Sequence, residues 1–157
     1  MSHDNGERVL IALGSRFRGD DGIGPFVAER LKPRLTDCAV VEGAGDALAI
    51  INAWECALLT VVVDAASSGA PPGTIHRLEI GKSPLPKDLA RCSSHGVGLY
   101  EALELARVLG RMPDRLVIYA VEAKTFAQGA PLSPEVAHAA ERVVRDVEAE
   151  LASLARA

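Results

Sequence analysis

The chain has 157 residues, of which 48% are hydrophobic and 24% are charged. This length and balance predict one globular domain over residues 1–157 and exclude collagen-like and disordered proteins. Seventeen Lys and Arg against 21 Asp and Glu give a formal net charge of -4. A protein that binds nucleic acid or an anionic membrane through a basic surface is therefore not expected.

The N-terminus, the apolar runs and the cysteines bear on location. The first residues are polar and acidic, which is not the order of a secretory signal. The longest nearly apolar run, residues 57–66, is about half a bilayer span. Cys38, Cys56 and Cys92 form no C-x-x-C pair, so we expect reduced thiols rather than disulfides or structural zinc. A cytoplasmic protein without a membrane segment is predicted.

Two hydrophobic patterns alternate along the chain. Short β-branched runs are typical of buried strands, and apolar residues at three- and four-residue spacing are typical of helices. In chain order we predict strand 9–13, helix 23–35, strand 39–41, helix 46–55, strand 58–63, edge strand 73–80, helix 98–109, strand 116–121 and helix 133–154. Asp46 and Ser133 are expected to cap helix starts, and Gly110 to end a helix.

The predicted strand 73–80 departs from this alternation. The loop between it and Asp64 is too short to contain a crossover helix, so the strand is predicted to be antiparallel. Residues 81–94 contain two prolines and predict a surface loop. The predicted fold is a three-layer α/β/α sandwich. Its five-stranded sheet is mostly parallel with one antiparallel edge strand, and ligands are expected beyond the carboxyl ends of the strands.

A glycine-rich turn over residues 14–24 links the first strand to the first helix. Asp20 and Asp21 stand where a Walker A loop needs Lys and Ser or Thr, and the glycine spacing also differs from the dinucleotide fingerprint. A nucleotide site is therefore not indicated. Asp20 is explained as a helix cap whose negative charge complements the helix dipole. Asp21 is a better functional candidate, because it shares its side of the sheet with other potential ligands.

Two further residues could carry chemistry. Asp64 closes the most apolar run, where a buried carboxylate needs a partner or a metal ion; the alternative is a cap for the Ser67-Ser68 turn. His95 precedes an amphipathic helix and could bind metal or exchange protons; the alternative is a helix cap or a surface residue. The remaining histidines are assigned to the tail, the edge strand and a helix surface: His3, His76 and His138.

Together Asp21, Asp64 and His95 supply two carboxylates and one imidazole from three loops at one edge of the sheet. This donor set suits zinc, nickel or iron, and three protein ligands leave an open coordination position. Neither G-x-S-x-G nor H-E-x-x-H occurs in the chain, so a serine hydrolase of that type and a zincin are not indicated.

Asp21, Asp64 and His95 each lie within a short sequence block. The blocks are Gly19-Asp-Asp-Gly-Ile-Gly24, Val62-Val-Asp-Ala65 and Ser93-Ser-His-Gly-Val-Gly-Leu99. In order and spacing the chain resembles the nickel-iron hydrogenase maturation endopeptidases. The resemblance implies a protease that removes a C-terminal extension from the nickel-loaded precursor of the hydrogenase large subunit. It implies an α/β/α fold of the phosphorylase/hydrolase-like type around a five-stranded sheet, with nickel supplied by the precursor. Asp21, Asp64 and His95 match the nickel-recognising positions of that family.

The chain departs from the family pattern in two places. Gly14-Ser15 stands where Gly-Asn is usual, and Glu42-Gly-Ala-Gly45 stands where an Asp-Gly-Gly-Thr-like segment is usual. Glu42 is expected to keep the carboxylate role and is the fourth predicted catalytic residue. The expected partner is the large-subunit precursor, met by a monomer. Two alternatives are a non-catalytic nickel-sensing or chaperone protein on the same fold and a small-molecule hydrolase or transferase.

Overall fold

The computed structural model describes residues 7–81 and 98–154. His95, Cys92, His3 and all but the first residue of the predicted surface loop lie outside these ranges. The elements are β1 (Arg8–Ala12), α1 (Ile23–Leu31), β2 (Cys38–Glu42), α2 (Ala47–Trp54), β3 (Leu59–Ala66), β4 (Ile75–Ile80), α3 (Leu99–Leu109), β5 (Arg115–Glu122) and α4 (Pro134–Ala152). A 3-10 turn over Gly19–Gly22 precedes α1.

The five strands form one sheet in the order β2-β1-β3-β5-β4. β1 pairs in parallel with β2 and β3, β3 pairs in parallel with β5, and β4 is antiparallel to β5 at the sheet edge. The prediction of a mostly parallel five-stranded sheet with one antiparallel edge strand is confirmed. None of the helices within the described ranges is both long and apolar enough to cross a membrane.

Two apolar clusters, one on each face of the sheet, produce the three layers. On one face α2 and α3 contribute residues such as Trp54 and Leu103, and on the other α1 and α4 contribute residues such as Val27 and Val143. Because β1, β3 and β5 are covered on both faces, their sequences are almost continuously apolar. The predicted α/β/α sandwich is therefore present.

The helix boundaries follow from capping chemistry. Asp46 accepts a hydrogen bond from the Ala49 N–H at 2.8 Å, and the Ser133 hydroxyl accepts one from the Val136 N–H at 3.4 Å. Gly110 ends α3 in the left-handed conformation, with a φ of 67°. These three caps were predicted correctly.

Several boundaries and one burial assignment were wrong. α1 ends at Leu31 rather than at residue 35, because Pro33 has no N–H with which to continue the helix. β2 is only partly buried, since it lies at the sheet edge. β3 continues through Asp64 to Ala66, and β5 continues to Glu122. Both carboxylates therefore belong to strands rather than to the loops that follow.

Gly24 determines how closely α1 approaches the sheet. A Cβ atom at this position would overlap the Leu13 carbonyl oxygen and lie 2.9 Å from the Val63 carbonyl oxygen. We expect Gly24→Ala to lower the free energy of unfolding by about 2–3 kcal/mol, although Ala is the better helix former. Urea unfolding checks this, with Gly45→Ala as the control because its Cβ would meet nothing closer than 3.9 Å. Equal stability of the two variants would contradict the expectation.

Candidate active site

The site lies where the strand order changes direction. From β1 the chain passes to β2 on one side and returns to β3 on the other side. The carboxyl ends of adjacent parallel strands at such a point border a crevice that commonly binds ligands. The turn after β1 carries Asp21, and β3 carries Asp64. The topology thus brings two of the predicted site residues to one crevice.

The turn between β1 and α1 folds back on itself to bury Asp21. Gly14 has a φ of 104°, and a Cβ there would overlap the Asp21 carbonyl oxygen, so this position requires glycine. The Ser15 N–H donates a hydrogen bond to Asp21 Oδ2 at 2.8 Å. Asp21 is 4% exposed. The loop therefore holds this buried carboxylate in a defined position after β1.

Asp64 is buried close to Asp21. Its Oδ1 accepts a hydrogen bond from the Ala65 N–H at 2.8 Å. Burial raises the pKa of Asp64 to about 7, the hydrogen bond from Ala65 opposes the shift, and the negative charge of Asp21 adds to it. The two carboxylates therefore interact. Asp64 exchanges a proton near neutral pH, and a cation bound between the carboxylates would stabilise the ionised form.

Asp20 has a different role from its neighbour. It is fully buried and accepts four hydrogen bonds, from the N–H groups of Lys124 and Thr125 and from the N–H and hydroxyl of Ser133. The prediction that Asp20 caps the following helix was wrong, because its partners lie in the β5–α4 loop and at the start of α4. Asp20 connects the turn after β1 to the loop after β5, and both lie at the carboxyl end of the parallel strands.

Glu42 and His95 are the remaining predicted site residues. Glu42 ends β2, on the far side of β1 from β3, and forms an ion pair with Arg16 at 3.3 Å. Its side chain is 34% exposed, unlike the two buried aspartates. His95 lies outside the described ranges. Residues 7–81 and 98–154 contain no group of three acidic, His or Cys side chains placed to hold a metal ion.

Sequence reasoning missed a second buried carboxylate on the sheet, Glu122. It is 2% exposed and accepts hydrogen bonds from the Ser68 N–H, the Ser68 hydroxyl and the Gly69 N–H at 2.6, 2.8 and 3.0 Å. His76 Nε2 lies 3.2 Å from its Oε2. Burial raises the pKa of Glu122, but these hydrogen bonds outweigh burial, so its pKa is lowered overall.

The signal that could have found Glu122 was its position. Glu122 is a carboxylate at the end of the apolar run of β5, just as Asp64 is a carboxylate within the apolar run of β3. The prediction of His76 on the edge strand is confirmed, since it lies in β4. Its pairing with Glu122 was not predicted. The alternative role considered for Asp64, capping the turn at residues 67–68, belongs instead to Glu122.

Comparisons with known proteins agree with this fold. The solved hydrogenase maturating endopeptidase HybD of Escherichia coli superposes with a TM-score of 0.77 at 22% identity, over 92% of each chain. A hydrogenase 2 maturation peptidase of the Thaumarchaeota archaeon SCGC_AB-539-E09 superposes with a TM-score of 0.68 at 29% identity, over 94% of this chain and 99% of the other.

Sequence comparison leads to the same group. The hydrogenase expression/formation protein HupD of Thiocapsa roseopersicina is 27% identical over 154 residues, which are 96% of this chain and 68% of HupD. The model of the HycI hydrogenase maturation protease family matches residues 25–150. The chain therefore belongs to the hydrogenase maturation protease family.

Proposed function

We propose that this protein is an endopeptidase that removes a C-terminal extension from the nickel-loaded precursor of a nickel-iron hydrogenase large subunit. The observation that carries the proposal is the pair of buried carboxylates, Asp21 and Asp64, at the switch point of the sheet. Two interacting carboxylates at such a crevice are arranged to receive a cation. The family membership supports the protease activity.

The nickel ion in this proposal belongs to the substrate. Asp21, Asp64 and His95 would recognise it through two carboxylate oxygens and one imidazole, a donor set that suits nickel. When the loaded precursor docks, the ion favours the ionised form of Asp64 over the protonated form. A precursor without nickel has no cation to stabilise the ionised Asp64, so the buried carboxylates favour binding of the nickel-loaded precursor. The protein would thereby act as an aspartate-type, nickel-dependent peptidase.

The replacement of the usual Asn by Ser15 leaves the Asp21 geometry intact. The group that contacts Asp21 is the Ser15 backbone N–H, which any residue except proline supplies. The Ser15 hydroxyl accepts a hydrogen bond from the Phe17 N–H at 3.4 Å within the same loop. The Ser15 departure is therefore no argument against the peptidase function. For Glu42, which pairs with Arg16 of this loop, we propose the catalytic carboxylate role of the second-strand position.

An apolar side chain at the rim supports a protein substrate. Phe17 is 70% exposed, yet its loop is firmly held, because the Phe17 carbonyl accepts a hydrogen bond from the Gly129 N–H at 2.7 Å. The Gly19 N–H donates to the Ala130 carbonyl at 3.0 Å. A large apolar side chain on a fixed loop beside the crevice is suited to anchoring a polypeptide.

Intact mass spectrometry of the purified large-subunit precursor tests the proposal. We expect the wild-type protein to shorten the nickel-loaded precursor by one C-terminal peptide and to leave the nickel-free precursor whole. Asp21→Asn and His95→Gln should reduce the rate by at least about 100-fold, because each removes a group that receives the nickel. Asp146→Asn, an exposed change on α4, is the matched control.

Three outcomes would contradict the proposal. Processing by both Asp21→Asn and His95→Gln at the wild-type rate would remove the assigned site. A wild-type protein that binds the loaded precursor without shortening it would instead favour the nickel-sensing or chaperone function. Hydrolysis of small esters without any effect on the precursor would favour the small-molecule hydrolase.

A further inference from the structure

Arg18 lies in the turn after β1, three residues before Asp21, and has no part in the nickel site described above. The residue is partly exposed, but its Nε atom is buried and, within residues 7–81 and 98–154, has no hydrogen-bond partner. The other buried side-chain atom without a partner in these ranges is the hydroxyl of Thr60, a residue fully buried in β3. A ligand from solvent could therefore reach Arg18 but not Thr60.

The positive charge of Arg18 also has no counter-ion in the described part of the chain. Arg16, on the same turn, forms an ion pair with Glu42 at 3.3 Å. Most other arginines of that part donate to carboxylates or carbonyls: Arg8, Arg30, Arg34, Arg77, Arg111 and Arg115. The arginines that are unpaired there are exposed to water: Arg107, Arg142 and Arg145. Because the Nε atom of Arg18 is covered by protein, water does not fully compensate this charge.

The acidic neighbours of Arg18 in the turn have other donors. Asp20 accepts four hydrogen bonds from Ser133 and the β5–α4 loop. Asp21 accepts one from the Ser15 N–H at 2.8 Å. The folded chain therefore holds a partly buried guanidinium beside the site carboxylates without pairing it to either of them. Unsatisfied polar groups are uncommon in folded proteins and are expected at functional sites, where the ligand completes them.

The backbone holds Arg18 next to Asp21. The Asp21 N–H donates a hydrogen bond to the Arg18 carbonyl at 3.1 Å, which closes a turn whose first and last Cα atoms are less than about 7 Å apart. On either side of Arg18, Phe17 and Gly19 form backbone hydrogen bonds with residues 129–130. The turn is therefore fixed before the precursor arrives, and a group bound at Asp21 is within reach of the Arg18 side chain.

The guanidinium group has N–H donors and no acceptor, so its partner must offer oxygen lone pairs. A carboxylate supplies two parallel acceptors and the opposite charge, whereas a peptide carbonyl would leave the charge of Arg18 uncompensated. We propose that Arg18 is a precursor-binding residue that pairs with a carboxylate of the hydrogenase large-subunit precursor. This inference rests on the proposed endopeptidase function and adds a second feature, besides nickel, by which the substrate is recognised. The carboxylate belongs to the C-terminus of the extension or to an acidic side chain near the nickel ion.

Single-turnover cleavage of the nickel-loaded precursor, measured at increasing protease concentration, tests this pairing. Arg18→Gln keeps an N–H donor and removes the charge. We expect the protease concentration for half-maximal rate to rise at least about tenfold, while the maximal rate stays within about threefold of wild type. Arg18→Lys keeps the charge and should recover part of the loss. Arg145→Gln, an exposed change on α4, is the matched control and should behave as the wild type.

A precursor lengthened by two glycines at its C-terminus identifies the source of the carboxylate. If the terminal carboxylate is the partner, the wild-type protein should need a concentration about tenfold higher for the lengthened precursor. Arg18→Gln should then treat the two precursors alike, because the pair is already lost. If an acidic side chain is the partner, the wild-type protein should process both precursors equally.

Thermal unfolding separates substrate binding from a structural role. Because the Nε atom has no partner in the described part of the protein, Arg18→Gln should unfold within about 2 °C of the wild type. A fall in Tm that accounts for the lost processing would overturn the inference, as would a wild-type half-maximal concentration in Arg18→Gln. A loss in Arg18→Ala that Arg18→Gln does not share would indicate a neutral acceptor and would also overturn it.

Failure of the proposed function gives a different result. In that case the wild-type protein does not shorten the loaded precursor at any concentration. Calorimetric titration of the loaded precursor into the wild type and into Arg18→Gln then still tests the pairing. A dissociation constant at least about tenfold higher for Arg18→Gln would support the role of Arg18, and equal constants would refute it.

Discussion

We expect Asp64→Asn to abolish precursor processing and, at pH 8, to make the protein more stable than the wild type. The folded wild type holds Asp64 at 3% exposure, and the amide of Asn can still accept the hydrogen bond from the Ala65 N–H. The substitution therefore removes a buried charge without removing its partner. A gain in stability together with a loss of activity is the signature of a functional group held in an unfavourable place.

The pH dependence of this effect follows from the direction of the shift. The pKa of Asp64 is raised from 3.8 to about 7 in the folded state, so the folded state binds this proton more tightly than the unfolded chain. The destabilising effect of the charge is absent below the unfolded value. It grows as pH rises between the two values and is complete above about 7. A shift of this size corresponds to a contribution on the order of 4 kcal/mol.

Urea unfolding at two pH values measures this contribution. The stability advantage of Asp64→Asn over the wild type should be about 2–3 kcal/mol larger at pH 8 than at pH 5. Asp146→Asn removes the same charge from an exposed position on α4, and it should show no such difference. An advantage that is equal at both pH values would refute the burial argument, and full activity of Asp64→Asn would refute the role of Asp64.

The adjacent acidic residues Asp20 and Asp21 should respond in opposite ways to the same substitution. Asp20→Asn is expected to destabilise the protein by about 2–4 kcal/mol, because an amide offers one acceptor oxygen to the four donors that now converge on the carboxylate. Its NH2 group would also point at donor groups. Asp21→Asn should keep its stability within about 1 kcal/mol, since the amide oxygen can accept from the Ser15 N–H.

Thermal unfolding and processing assays on the two variants provide the comparison. For a domain of this size, we expect Asp20→Asn to lower the Tm by about 6–12 °C and to process precursor at temperatures where it remains folded. Asp21→Asn should unfold near the wild-type temperature and fail to process. Each variant is the control for the other. A stable Asp20→Asn variant would show that the buried hydrogen bonds contribute little.

Local sequence patterns were sufficient for most of the architecture. Continuous apolar runs at β1, β3 and β5 indicated strands covered on both faces, and the spacing in α4 indicated a helix with one buried side. Caps at Asp46, Ser133 and Gly110 were readable because each depends on residues within one helical turn. Asp64 was recognisable as a functional candidate, since a carboxylate inside an apolar run is unfavourable wherever the chain folds.

The sequence by itself therefore determined the order of strands and helices, the fold class and the candidate carboxylates at residues 21 and 64. Only the tertiary structure decided which carboxylates have protein partners. Asp20 accepts hydrogen bonds from Ser133, 113 positions away, and Glu122 contacts His76, 46 positions away. Local propensity carries no information about such pairs, because a buried carboxylate is stabilised by whichever donors the packing brings to it. Local propensity also could not show that β2, although apolar in sequence, lies at the edge of the sheet.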